Sequence, residues 1–201
     1  EELGEVDLGD RRLSKRLVSI AQAFYARPQA NIPQACQTRV DTKATYRFLD
    51  HPETSMEKVL APHYEATLGR ISREEVVLAV QDTTSLNYTA HPATQNLGPI
   101  GYRLDRGIGL ILHSTLTFNR EGTPLGLLDV QCWARDAVDF GKKKRRHSLS
   151  IEEKESYKWL LSFRKVADAQ KQCPQTMVVS VGDREADIYE LFELALRDPS
   201  G

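Results

Sequence analysis

Two short β-branched runs constrain this chain more than anything else in it. Val76–Val80 (VVLAV) leads through Gln81 to Asp82, and Met177–Val181 (MVVSV) leads through Gly182 to Asp183. Apolar runs of this length, bounded by turn residues, read as buried strands. Neighbouring strands that end together set Asp82 and Asp183 side by side at one edge of a sheet. Two such carboxylates are a candidate cation site, since Mg²⁺ needs only one or two, with waters and substrate phosphates completing its shell. A structural role is open to each acid as well: Asp82 suits an Asx-turn through Thr84, and Asp183 suits the cap of a helix starting at Arg184.

The periodicity divides the chain. Up to about residue 72 the apolar spacing is helical, and from Val76 it shortens to two, which places a boundary between a small all-helical domain, 1–72, and an α/β domain, 73–201. In the first domain Leu13, Leu17, Ile20 and Phe24 form the stripe of a helix over Asp10–Ala26, with Asp10 as its cap. Arg27–Pro33 reads as a loop, and helical pieces follow as far as His51-Pro52, with Phe48 and Leu49 as core residues. Thr54 and Glu57 have capping-box spacing for a helix that Pro62 should kink.

In the second domain Thr89–Arg106 reads as a loop beside the acids. Ile108–Phe118 alternates, with Leu110, Leu112, Leu116 and Phe118 on the apolar face and His113, Thr115 and Thr117 opposite. Asn119–Thr123 then turns the chain into an antiparallel strand over Pro124–Trp133. Ser150 and Glu153 are spaced to cap a helix over Ile151–Gln172 that buries Trp159, and Ile188, Leu191, Phe192, Ala195 and Leu196 should bury the last helix. His113 lacks a partner at ligand spacing and reads as a hydrogen-bonded strand residue rather than a metal ligand.

Composition limits the partners. With 27 basic and 28 acidic residues the net charge is −1, so nucleic-acid binding has to come from local patches. Three patches stand out: Arg12 with Arg16 on the first helix, the row Arg39, Lys43 and Arg47, and the run Gly141–His147 with Lys143, Lys144 and Arg145. Each is equally readable as a solvated face. Cys36, Cys132 and Cys173 are odd in number and lack CxxC spacing, which fits a reducing cytoplasm better than a disulfide frame. No apolar run is long enough to span a membrane.

QDTTSLNY at Asp82 and GDREADIY at Asp183, with EKESYKWL between them, resemble the bacterial cut-and-paste DDE transposases of the Tn-five type, in the insertion-sequence-four family. LGDRRLSKRL and TYRFLDHP resemble that family's end-binding domain. The resemblance implies an RNase H-like mixed sheet, here incomplete, and metal-dependent cleavage and strand transfer of double-stranded DNA. It makes Asp82 and Asp183 the first two acids of the catalytic triad, holding Mg²⁺ or Mn²⁺ as a substitute. It also implies a homodimer in the DNA complex, and a bacterial, cytoplasmic location at the nucleoid. The triad's Glu has no counterpart in the sequence, so the chain reads as a piece of a longer protein, inactive by itself. A DNA-binding remnant without catalysis and a metal-dependent nuclease are the alternatives.

Overall fold

The structure, a computed structural model, describes residues 2–101, 106–137 and 149–197. The run Lys143, Lys144 and Arg145 lies outside the described residues. The chain forms two compact units, Glu1–Ala66 and Thr67–Gly201.

The first unit is helical. A 3₁₀ turn at Glu2–Glu5 is followed by α1 (Arg11–Ala26), α2 (Ile32–Cys36), α3 (Arg39–Leu49) and the start of α4 (Met56–Ile71). The α1 cap is as expected, with Asp10 accepting the Arg12 N–H at 2.8 Å. α2 begins inside the stretch expected as loop, because Asn31 and Gln34 close a reciprocal capping box there. The cap of α4 is Ser55, whose Oγ accepts the Lys58 N–H at 3.2 Å, and not Thr54. α4 runs on through Pro62 as one helix. Val6, Leu8, Leu17, Ile20 and Phe48 make the core, flanked by Leu3, Leu13 and Val59. Leu49, expected inside, is exposed, since Phe48 and Thr45 take the buried side of α3.

The second unit is a mixed sheet with helices. β1 (Val76–Asn87) pairs antiparallel with β3 (Ile108–Asn119) and parallel with β5 (Met177–Val181). β4 (Pro124–Trp133) lies antiparallel on β3's other side, so the order is β4-β3-β1-β5. A two-residue strand within the expected loop, β2 (Gly98–Pro99), pairs with the first residues of β3. The β3–β4 turn is built by Asn119, whose Oδ1 accepts the Thr123 N–H at 2.8 Å, and by Gly122 at φ +83°.

The main helix of this unit, α5, runs from Tyr157 to Gln172. It starts later than its sequence signal because the Ser150–Glu153 pair closes only a 3₁₀ turn, after which Lys154 is extended at φ −95°, ψ 146°. Ile71, Val77, Ala79, Leu125, Leu128, Val166, Ala169 and Cys173 form the core of the unit. The thiol of Cys173 is pushed up by burial.

Two expectations of burial are reversed. On β3 the buried side chains are Ile111, His113, Thr115 and Thr117, in line with the buried Gly109, while Leu110, Leu112, Leu116 and Phe118 are only half-buried. α5 packs on the polar-bearing side, where Thr117 Oγ1 donates to the Gly126 carbonyl at 2.7 Å and His113 Nδ1 is bonded to Thr83 Oγ1, while Thr115 Oγ1 and His113 Nε2 are buried without a partner. α6 (Tyr189–Arg197) has no buried residue, and Phe192 and Leu196 are 54% and 88% exposed, because its main neighbour among the described elements is α5.

Truncating Ile71 to Ala should destabilise the sheet unit by about 2–5 kcal/mol, the usual cost of emptying a closed core site. Leu196→Ala should change stability by less than about 0.5 kcal/mol. Urea unfolding followed by tryptophan fluorescence would measure both.

Candidate nucleic-acid interface and metal site

Asp82 is not at the end of β1, as the apolar run suggested, but inside it. β3 accompanies β1 to the pair Asn87↔Gly109, so the Thr-rich segment after Asp82 stays in the sheet. The parallel partner does stop early. The last β1–β5 pair is Val80↔Val181, and the same offset carried two residues further sets Asp82 opposite Asp183. Both are exposed. Residues paired across parallel strands share a face, and Gln81, adjacent to Asp82, is buried on the α5 side. Asp82 therefore lies on the opposite face, and the carried register gives Asp183 the same one.

Asp183 is also a cap, as anticipated, though of a 3₁₀ turn (Arg184–Ala186) and not of a full helix. Its Oδ1 accepts the Glu185 N–H at 2.8 Å, leaving its remaining acceptor capacity exposed. The donor set, two carboxylates at the open end of a parallel strand pair, fits a hard divalent cation. Among the described residues it is not part of a cluster of three or more His, Cys, Asp or Glu able to hold a metal.

Beneath the acids the α5 side of the sheet is polar. His113, fully buried, shares a 2.8 Å hydrogen bond between Nδ1 and Thr83 Oγ1, one residue from Asp82. Its ring meets Trp159 edge-on at 4.6 Å. Burial, with the nearby Lys158 charge, pushes the His113 pKa down to about 4. Gln131 Nε2 contacts Asp129 Oδ2 and Ser162 Oγ, both at 2.9 Å, and Ser162 Oγ donates to Asp129 Oδ2 at 2.7 Å. Lys158, buried on α5, sends Nζ to within 3.6 Å of Glu185 and 5.5 Å of the Trp159 ring centre. Sequence reading missed Gln131, Asp129, Ser162 and Lys158. The one available signal was a lysine adjoining Trp159 in an otherwise apolar stripe.

In the helical unit the basic residues differ in their engagement. Arg12 is held by Asp10 at 2.8 Å, and that guanidinium keeps the Asp10 carboxyl below its ordinary range. Arg16 donates to Asp41 on α3 at 3.2 Å. Arg39, Lys43 and Arg47 are exposed at four-residue spacing along α3, with no ion pair among the described residues. Val40 and Tyr46 beside them are 76% and 52% exposed.

Residues 1–54 match the sequence model of a protein family described as transposase DNA-binding. The match covers α1, α2 and α3. It supports a transposase and a transposase-related DNA-binding role for this unit. Among the described residues no helix is long and apolar enough to cross a membrane.

The low His113 pKa carries a pH dependence. An unfolded imidazole titrates near 6.5, so between that pH and about 4 the unfolded chain holds a proton that the native one lacks. Stability should fall as pH drops through this window. Replacing His113 by Gln should flatten that part of the profile, which thermal melts of both proteins from pH 7 to 4 would show.

Proposed function

We propose that the chain belongs to a bacterial cut-and-paste transposase of the DDE kind, of the Tn-five type, with the helical unit holding DNA and the sheet unit presenting two of the acids for phosphodiester chemistry. The observation that carries the DNA half is the exposed, unneutralised row Arg39, Lys43 and Arg47 on α3, within the segment that matches the transposase DNA-binding family. Phosphates neutralised by such a row supply affinity independent of sequence. The exposed Val40 and Tyr46 among them are suited to apolar contact with base edges. The substrate in this reading is double-stranded DNA, as transposon ends and as target, held by a homodimer at the nucleoid of a bacterial cytoplasm.

The reaction half is supported by the β1–β5 register, which ends at Val80↔Val181 and, carried two residues further, brings Asp82 level with Asp183. The strand order β4-β3-β1-β5, with α5 between β4 and β5, supports an RNase H-like sheet. Asp82 and Asp183 would hold Mg²⁺, or Mn²⁺ in its place. A divalent ion there supplies Lewis-acid activation of water and neutralises charge at a phosphodiester. Asp183 keeps one oxygen on the Glu185 N–H, which fixes its rotamer, and Asp82 is held by the ladder to β3. Little covalent chemistry falls to the protein; positioning and charge compensation do most of the catalytic work.

A third acid would come from an element laid on the same face, where Leu110, Leu112, Leu116 and Phe118 are still half-exposed. A second reading, a DNA-binding remnant without catalysis, rests on the match of residues 1–54 to the transposase DNA-binding family.

Replacing Arg39, Lys43 and Arg47 together by Ala should weaken binding to a labelled duplex and reduce the slope of log K against log salt by about 0.9 for each phosphate that is no longer neutralised. Fluorescence anisotropy across a salt series measures this, and an unchanged slope would remove α3 from the interface.

Asp82→Asn and Asp183→Asn should each abolish most Mn²⁺ binding, read by water-proton relaxation. Unchanged binding in both variants would favour the remnant, and joining of a cleaved 3′ end to a second duplex would separate a transposase from a nuclease.

A further inference from the structure

The loop that carries Asp183 begins with Gly182, whose backbone is not in the left-handed region. Conformational freedom therefore does not explain the glycine, and contact does. A β-carbon at Gly182 would lie 3.2 Å from the Trp159 ring and 2.7 Å from the Ala186 β-carbon. The chain at this point runs beside the Trp159 ring and Ala186 with no room for a methyl group. The same indole, 1% exposed, is met edge-on by His113, and His113 is hydrogen-bonded to Thr83. One buried ring thus meets the segment that follows Asp82, through His113, and closes off the space where a side chain at Gly182, just before Asp183, would begin.

Two further ties run alongside. Gln81 Nε2 donates to Ser180 Oγ at 2.9 Å, joining the residue before Asp82 to the end of β5. Lys158 reaches Glu185, whose N–H is the one Asp183 caps.

We propose that Trp159 and Gly182 are positioning residues that set the separation of the Asp82 and Asp183 carboxylates, with the indole as the spacer between the two strands. The inference rests on the metal-site reading above. β5 offers no ladder beyond Val181, so past that residue the approach to Asp183 is set by the close fit of Gly182 against Trp159 and Ala186 instead of by strand pairing. A cation that bridges two carboxylates responds to sub-ångström changes in their spacing, and outer-shell substitutions of this kind weaken metal binding by roughly 10–100-fold.

The test uses the 201-residue chain with Mn²⁺ as probe, read by water-proton relaxation, beside thermal melts without metal. Gly182→Ala adds the methyl group and should weaken Mn²⁺ binding by about tenfold or more, while the metal-free protein still melts cooperatively. Adding Ala186→Gly removes the nearer obstruction and should recover a large part of the loss, which general destabilisation would not do. With the neighbouring tryptophan removed by Trp133→Phe, the fluorescence of Trp159 should shift in Gly182→Ala and return in the double variant.

Gly182→Ala binding Mn²⁺ as the parent does, while Asp82→Asn abolishes binding, would overturn the spacer role and leave the metal site standing. Failure of the double variant to recover binding, with its melt and fluorescence restored, would also overturn it. Indifference of Mn²⁺ binding to both aspartate substitutions would overturn the metal reading and the spacer with it.

Discussion

β1 is paired on both edges over its first half and on one edge over its second. As far as Val80 it lies between β3 and β5, and from Gln81 to Asn87 only β3 remains. A strand needs both neighbours to be buried on both edges, so the step from two partners to one is also the step from core to surface. Asp82 sits just past that step. Its backbone is kept rigid by the antiparallel ladder while its side chain reaches solvent, and an early end to β5 brings Asp183 to the same level. The candidate site is thus a by-product of two strands of unequal length, twelve residues against five.

What keeps the strands from sliding is the polar layer on the α5 side. Gln81 with Ser180, Thr83 with His113, and Gln131 with Asp129 and Ser162 bond across neighbouring elements. A slip of one residue turns every side chain to the other face and would bury these groups unpaired or expose them. Each buried polar group left without a partner costs about 1–3 kcal/mol, so the layer penalises the wrong register heavily while adding little net stability to the right one. Apolar side chains at these positions would tolerate several registers. The metal reading needs a single register, since moving β5 by one residue moves Asp183 away from Asp82.

The pattern that locates the strands was legible in the sequence, and so were the β3–β4 turn and the α1 cap, because each depends on a few adjacent residues: VVLAV and MVVSV, Asn119 with Gly122, Asp10. The side of β3 that faces α5 was not. Leu110, Leu112, Leu116 and Phe118 announce a buried face by composition, yet α5 covers His113, Thr115 and Thr117, of which His113 is bonded to Thr83 on β1 and Thr117 to Gly126 on β4. Periodicity finds a two-faced strand without saying which face the first helix takes. The extension of β1 past Asp82 was hidden for a related reason. Thr83, Thr84 and Ser85 look like turn residues, and only the length of β3 shows that they have a partner. The two acids were visible as a repeated motif, but the offset of the β1–β5 ladder, which brings them level when carried past Val80↔Val181, is a property of the folded sheet.

The helical unit divides its basic residues between internal and external use. Arg12 and Arg16 each have a carboxylate within the unit, at Asp10 and Asp41. Exposed pairs of this kind contribute about 0–1 kcal/mol, so a DNA phosphate competes with them on nearly equal terms. Binding through these arginines would, however, leave Asp10 or Asp41 facing the phosphate backbone, which takes back part of the gain. The α3 row has no such cost. Arg16 also joins α1 to the first turn of α3, where Asp41 accepts from the Thr38 hydroxyl at 2.7 Å. Loss of Arg16 would then disturb the placement of the row as well as removing a cation, and its effect on DNA affinity would mix the two. Arg39, Lys43 and Arg47 carry no structural duty among the described residues, so changes in salt dependence on removing them report phosphate binding alone. Under the proposed reading, in a chain of net charge −1 it is the sign of the local surface, and not the total, that would direct DNA to this helix.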